Sequence, residues 1–83
     1  MEKSIPVCFG RVLRKLRKDA QLTQEALGMK ADLQRNYVSS IELGEKQPSL
    51  TSIFKLGSAL NIKPGMLLDL VEKELTNQSG GAF

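Results

Sequence analysis

The chain contains no histidine and no tryptophan, and it has one cysteine among its 83 residues. Without histidine it lacks the commonest general base near neutral pH and the commonest zinc ligand. One thiol can form neither an internal disulfide nor a cysteine-rich metal site, and we expect Cys8 to be a small buried apolar residue. The sequence also holds no phosphate-binding glycine loop and no paired-carboxylate motif. We therefore predict a protein that is not an enzyme and that uses no metal and no cofactor.

Long hydrophobic runs are missing as well. The longest uncharged stretches, residues 47–54 and 56–62 among them, fall far short of the ~20 apolar residues that cross a bilayer. Residues 5–10 are too few for the hydrophobic region of a secretory signal. A chain without disulfides suits a reducing compartment. We expect a cytoplasmic protein without a membrane partner.

Length and composition indicate one small globular domain. Hydrophobic residues make up 41% of the chain and charged residues 25%, which is close to the globular average. A chain this short buries a smaller fraction of its surface than a larger domain does. Its stability is therefore expected to be modest, and this favours oligomerisation.

The net charge of +3 is unevenly distributed. Residues 1–22 contain six basic and two acidic side chains, a net +4, whereas residues 23–60 are balanced and residues 61–83 carry −1. Such a basic excess attracts polyanions, nucleic acid foremost. On charge alone, an ordinary solvent-exposed helix face explains these basic residues equally well.

The apolar residues recur at helical spacing, and no alternating run of strand length is present. We predict an all-α fold with helices over residues 6–20, 24–31, 34–43, 50–60 and 64–75. Ser4, Thr23 and Ser49 are suitable N-caps, and Asp32 tolerates a left-handed turn. Gly28 lies inside the second helix at a cost of ~1 kcal/mol relative to alanine, which indicates a tight contact. The domain is expected to span residues 1–75, followed by a flexible tail over residues 76–83.

The second and third predicted helices have the proportions of a helix-turn-helix, although this spacing alone is a weak signal. The chain resembles the Cro/C1-type, lambda-repressor-like helix-turn-helix family (XRE-type) over about residues 9–70. Its length and single domain are similar to those of restriction–modification controller proteins and small phage-type repressors. The residues that carry the resemblance are Thr23-Gln24-Glu25, Leu27, Lys30-Ala31, Leu33, Tyr37-Val38, Ser39, Ile41-Glu42, Gly44 and Pro48-Ser49-Leu50.

The resemblance implies a compact five-helix fold whose third helix lies in the major groove of DNA. Base edges are then read by Arg35, Asn36, Ser39 and Ser40. Arginine can pair bidentately with guanine and asparagine with adenine, so these residue types suit that role. The alternative is that they are ordinary solvent-facing polar residues.

Contacts to the DNA backbone are implied for four further residues: Gln24, Gln34, Tyr37 and Lys46. A helix N-terminus that points at a phosphate, as at Gln24, is favourable in its own right. Arg17 and Glu42 match a family ion pair that joins the first helix to the reading helix. If that pair were exposed, it would contribute little energy.

The last predicted helix is too apolar to face one small core. We expect part of it to form a two-fold dimer contact made by Met66, Leu67, Leu68 and Val71. A dimer presents its two reading helices about one DNA turn (~34 Å) apart.

We therefore predict a homodimeric transcription regulator, associated with the nucleoid, that binds a symmetric double-stranded operator and blocks or recruits RNA polymerase. Because no ligand domain is evident, we expect no small-molecule ligand. The alternative is an antitoxin-like interaction module whose apolar C-terminal helix caps another protein.

Overall fold

The computed structural model of the chain describes residues 4–79, which contain five α-helices and no β-strand. The helices are α1 Ile5–Asp19, α2 Gln24–Ala31, α3 Arg35–Glu42, α4 Leu50–Leu60 and α5 Pro64–Ser79. α1 packs against α3 and α5, α2 packs against α3 and α4, and α4 also contacts α5. The all-α class and the five helices are confirmed. None of the helices within residues 4–79 combines the length and the apolar character that a membrane span requires.

Local sequence signals set the ends of the helices. Ser4, Thr23 and Ser49 each accept a hydrogen bond from the backbone N–H three residues later, at 3.3, 3.0 and 3.1 Å. These bonds satisfy N–H groups that a helix start otherwise leaves without partners. Asp32 and Asn61 end α2 and α4 with positive φ angles of 57° and 61°, in the left-handed region where short polar side chains are tolerated.

The core lies where all five helices meet. Its largest fully buried side chains come from α1, α2, α3, α4 and α5 alike, so each helix is held by burial of its own apolar face. Cys8 is buried there as predicted. The buried apolar residues are Cys8, Phe9, Leu13, Leu27, Ala31, Val38, Ile41, Leu56, Leu67, Val71 and Leu75.

Gly28 lies at the closest approach between α2 and the start of the next segment. A Cβ atom at this position would stand 2.6 Å from the backbone oxygen of Leu33. The tight contact inferred from the helix-disfavouring glycine is therefore present. The turn between α2 and α3 at this contact is three residues long.

The C-terminal helix continues beyond its predicted end. We expected α5 to stop near Leu75 and a flexible tail to follow, but residues 76–79 are helical. Leu75 is buried in the core, so packing anchors the last turns after the apolar pattern has ended. Thr76, Asn77 and Gln78 are polar but do not break a helix. Residues 80–83 of the predicted tail lie outside the described residues.

The assignment of Leu67 and Val71 to a dimer contact is wrong. Both side chains are buried in the chain's own core, with 0% and 4% of their surface exposed. The face of α5 that carries these two residues packs against α1 and α4 and not against a partner. Met66 and Leu68, on either side of Leu67, remain exposed.

Candidate nucleic-acid interface

The outer face of α3 is polar and open to solvent. Gln34, Arg35 and Asn36 are exposed at its N-terminal end, and Ser39 and Ser40 are half-buried further along. Val38 and Ile41 on the opposite side are fully buried, which fixes the orientation of the helix. Of the four residues predicted to read bases, Arg35 and Asn36 are therefore exposed at the helix start, whereas Ser39 and Ser40 carry short hydroxyl side chains further along.

The start of α3 also presents backbone donors. Gln34 occupies the N-cap position with extended backbone, but its side chain makes no capping hydrogen bond in the described part of the chain. The first N–H groups of a helix carry partial positive charge and favour an anion. The N-terminal end of α3 therefore combines these donors with the Arg35 guanidinium.

The ion pair between Arg17 and Glu42 joins α1 to the end of α3. Nε of Arg17 lies 2.6 Å from Oε2 of Glu42, and Nη2 lies 3.0 Å from Oε1. This is the bidentate fork that guanidinium and carboxylate groups form most favourably. Only 11% of the arginine side chain and 3% of the glutamate side chain are exposed, so the alternative of an exposed, weak pair does not apply.

Two further hydrogen bonds complete this network. Nη1 of Arg17 donates to the backbone oxygen of Leu22 at 2.8 Å, and Nε2 of Gln24 donates to Oε1 of Glu42 at 3.1 Å. The hydrogen bonds that Arg17 donates to Glu42 raise the pKa of its guanidinium above the usual value, against the opposing effect of burial. Within residues 4–79, no buried side-chain polar atom lacks a partner. The network fixes α1, the start of α2 and the end of α3 relative to one another.

Tyr37 connects α3 to the start of α4. Its hydroxyl accepts hydrogen bonds from the backbone N–H of Ser49 at 3.3 Å and from Oγ of Ser52 at 3.0 Å. Burial alone raises the pKa of Tyr37, but the hydrogen bonds from Ser52 and Ser49 and the charge of nearby Lys46 lower it overall. The side chain is half-buried, so Tyr37 has a structural role that the sequence did not reveal; its contact with DNA stays a prediction.

Two further predicted site residues, Gln24 and Lys46, lie close to these networks. Gln24 is the first residue of α2, and its amide is oriented by Glu42. Lys46 lies exposed in the loop between α3 and α4, close enough to Tyr37 to lower its pKa. The structure thus brings the candidate backbone contacts to both ends of α3.

Sequence reasoning missed an exposed apolar patch on α4. Leu50 and Phe54, one turn apart, are 67% and 58% exposed. Ile53 and Leu56 face the core instead. The spacing of its apolar residues makes α4 apolar on more than one face. A second apolar face, in addition to the one that faces the core, is the sequence signal that could have indicated an interface.

Comparison with known proteins finds relatives that share the helix-turn-helix. A family model described as helix-turn-helix matches residues 13–67. The chain is 41% identical to the control protein C.MunI of Mycoplasma sp. over 84% of this chain and 96% of that protein. It is 44% identical, with a TM-score of 0.73, to the restriction–modification controller protein C.AhdI of Aeromonas hydrophila, over 75% of this chain and 94% of that one.

A further solved structure shows a relative on DNA. The controller protein C.Esp1396I, captured as a tetramer in complex with its natural 35 base-pair operator, is 26% identical to this chain. The TM-score is 0.79, and the match covers 89% of this chain and 97% of that one.

Proposed function

Because this chain belongs to the Cro/C1-type helix-turn-helix family and, within it, to the restriction–modification controller proteins, we propose that it is a sequence-specific regulator of transcription. It binds a two-fold symmetric operator in double-stranded DNA as a homodimer. The observation that carries the proposal is the exposed polar face of α3 on a helix held in place by the buried Arg17–Glu42 pair. The operator-bound relative supports the same partner.

Base recognition falls to the N-terminal half of α3. Recognition helices contact base edges mainly through their first residues, where Arg35 and Asn36 are exposed. Arg35 suits O6 and N7 of guanine, and Asn36 suits N6 and N7 of adenine. Ser39 and Ser40 are shorter and half-buried, so they contribute only where the groove floor comes close.

Phosphate contacts hold α3 in the groove. Gln24 uses one hydrogen of its amide nitrogen for Glu42 and retains the other for a phosphate oxygen. The N-terminal N–H groups of α2 reinforce that contact. Gln34, Tyr37 and Lys46 add backbone contacts near the start of α3 and in the loop that follows it.

The homodimer is built from apolar side chains that the folded chain leaves exposed. Met66 and Leu68 of the predicted contact qualify, and Leu50 and Phe54 of α4 join them. Exposed apolar surface of this kind marks a contact site on a small protein. A two-fold arrangement places the two reading helices about 34 Å apart, one turn of DNA.

The protein acts by binding DNA, as expected for a relative of control proteins. Its activity is set by its own concentration, its site of action is the nucleoid in the cytoplasm, and RNA polymerase is the partner that it blocks or recruits. The antitoxin-like alternative is not favoured, because the matched relatives are regulators.

Selection of bound duplexes from a random pool tests this function. We expect enrichment of one sequence with two-fold symmetry and half-sites one helical turn apart. A pool that is retained without sequence enrichment would contradict sequence-specific recognition.

A further inference from the structure

Arg14 and Lys18 form an exposed basic pair on α1, one helical turn apart. The neighbouring basic residues are engaged: Arg11 lies 3.9 Å from Glu74, and Lys15 lies 3.4 Å from Asp19. By contrast, neither Arg14 nor Lys18 forms a salt bridge with any residue in the described part of the chain. Like charges at this spacing repel one another by a few tenths of a kcal/mol. An anionic partner bound to both side chains would replace this repulsion with attraction.

This basic pair lies next to Arg17 on the surface of α1. At about 100° per residue, Arg14 and Lys18 are displaced from Arg17 by about 60° and about 100° in the same direction around α1. Arg17 itself is tied to the residues just before α2: its Nη1 donates to the oxygen of Leu22, and the N–H of Leu22 donates back to the oxygen of Arg17 at 3.1 Å. The end of α1 is thereby fixed against the start of α2, where Gln24 lies.

We propose that Arg14 and Lys18 bind the phosphate backbone of DNA that flanks each half-site, outside the base pairs read by α3. This inference rests on the proposed function and extends the DNA-binding surface from α2 and α3 onto α1. The charge distribution favours an anionic partner for α1, because residues 1–22 carry a net +4 whereas residues 61–83 carry −1. The contact adds affinity without adding sequence preference, since phosphates are the same at every base pair.

The salt dependence of binding measures these contacts. Each neutralised phosphate adds about 0.9 to the slope of log affinity against log salt concentration. On a duplex that extends beyond the half-sites, Arg14→Gln/Lys18→Gln is expected to lower the slope by about 2 per protomer. Between 50 and 200 mM salt, the variant should therefore lose less affinity than the unmodified protein, by a factor of roughly ten for each protomer. On a duplex trimmed to the half-sites, the variant and the unmodified protein should have the same slope.

Lys63→Gln/Lys73→Gln is the matched control, because it removes the same charge from two exposed lysines of the acidic C-terminal part. This control should keep the slope of the unmodified protein on both duplexes. The proposal is overturned if Arg14→Gln/Lys18→Gln also keeps that slope on the extended duplex, or if it lowers the slope equally on both duplexes. Failure of the proposed function is a separate result, in which the unmodified protein selects no sequence at all.

Discussion

Gln24, the first residue of α2, donates a hydrogen bond of 3.1 Å to Glu42, the last residue of α3. The same carboxylate accepts two hydrogen bonds from Arg17 of α1, so one acidic group connects three helices. The surface that faces DNA is therefore set by a buried polar network as well as by the apolar core. This network gives the reading helix a fixed position relative to the candidate phosphate contacts.

Replacing Glu42 with glutamine should destabilise the fold strongly. The substitution leaves the Arg17 guanidinium buried without its counter-charge, and loss of one partner of a buried pair costs about 3 kcal/mol or more. Urea unfolding measures the change in the free energy of unfolding. Asp19→Asn is the control: it breaks the exposed pair with Lys15 and should cost less than about 1 kcal/mol. Equal losses for the two variants would contradict the importance of the network.

Ionisation of Tyr37 should occur at a lower pH in the folded protein than in the unfolded one. Because the pKa is lowered on folding, the phenolate form stabilises the fold above pH ~10, and this contribution is lost as the pH falls through the folded-state pKa. The chain has one tyrosine and no tryptophan, so ultraviolet absorbance follows this group alone.

Ser52→Ala tests the cause of this shift. The substitution removes the hydrogen bond from Ser52 Oγ to the Tyr37 hydroxyl, so the pKa of Tyr37 should rise towards that of the unfolded chain. Ser58→Ala, at an exposed position of the same helix, should leave the titration unchanged. If Ser52→Ala also leaves it unchanged, the hydroxyl contact does not set the pKa.

Adjacent leucines of α5 should behave differently when each is shortened to alanine. Leu67 is fully buried, so Leu67→Ala should lower the free energy of unfolding by about 2–5 kcal/mol. Leu68 is exposed, so Leu68→Ala should preserve monomer folding and weaken the dimer. Urea unfolding and sedimentation at several protein concentrations separate the two effects. A dimer that is unchanged by both Leu68→Ala and Phe54→Ala would place the contact elsewhere.

Two glycines should respond oppositely to alanine. At Gly28 the added methyl group meets the backbone oxygen of Leu33, so Gly28→Ala should destabilise the fold by about 1–3 kcal/mol. At Gly65 the space is open, and Gly65→Ala should stabilise α5 by up to about 1 kcal/mol through lower chain entropy. Thermal unfolding of both variants provides the comparison. Stabilisation by Gly28→Ala would show that α2 and α3 can move apart.

Local signals in the sequence predict much of this fold. The bounds of α2 and α4 agree with the structure, because Thr23 and Ser49 cap the starts and residues with left-handed backbone follow the ends. The core positions Val38 and Ile41 follow from helical spacing alone. Such features depend on neighbours within a few residues, which are visible in the chain itself.

Features that depend on how helices pack cannot be predicted from residues that are neighbours in the sequence. Leu67, Leu68 and Val71 were predicted together as a dimer contact, but the packing of α5 against α1 and α4 buries Leu67 and Val71 and leaves Leu68 exposed. The bond between Tyr37 and Ser52 joins residues on different helices, and neither residue type predicts it. The Arg17–Glu42 pair was predicted, yet through the family resemblance and not through any local pattern.

Comparison of Arg35→Ala with Gln24→Ala decides whether α3 reads base edges. Each variant is measured against the selected operator and against all of its single-base-pair changes. Arg35→Ala should lose about 1–3 kcal/mol on the selected operator and lose its discrimination at one base pair of each half-site, whereas Gln24→Ala should weaken binding to every duplex alike. If Arg35→Ala retains the full discrimination of the unmodified protein at every base pair, α3 does not read the sequence through this residue and the proposed mode of recognition is wrong.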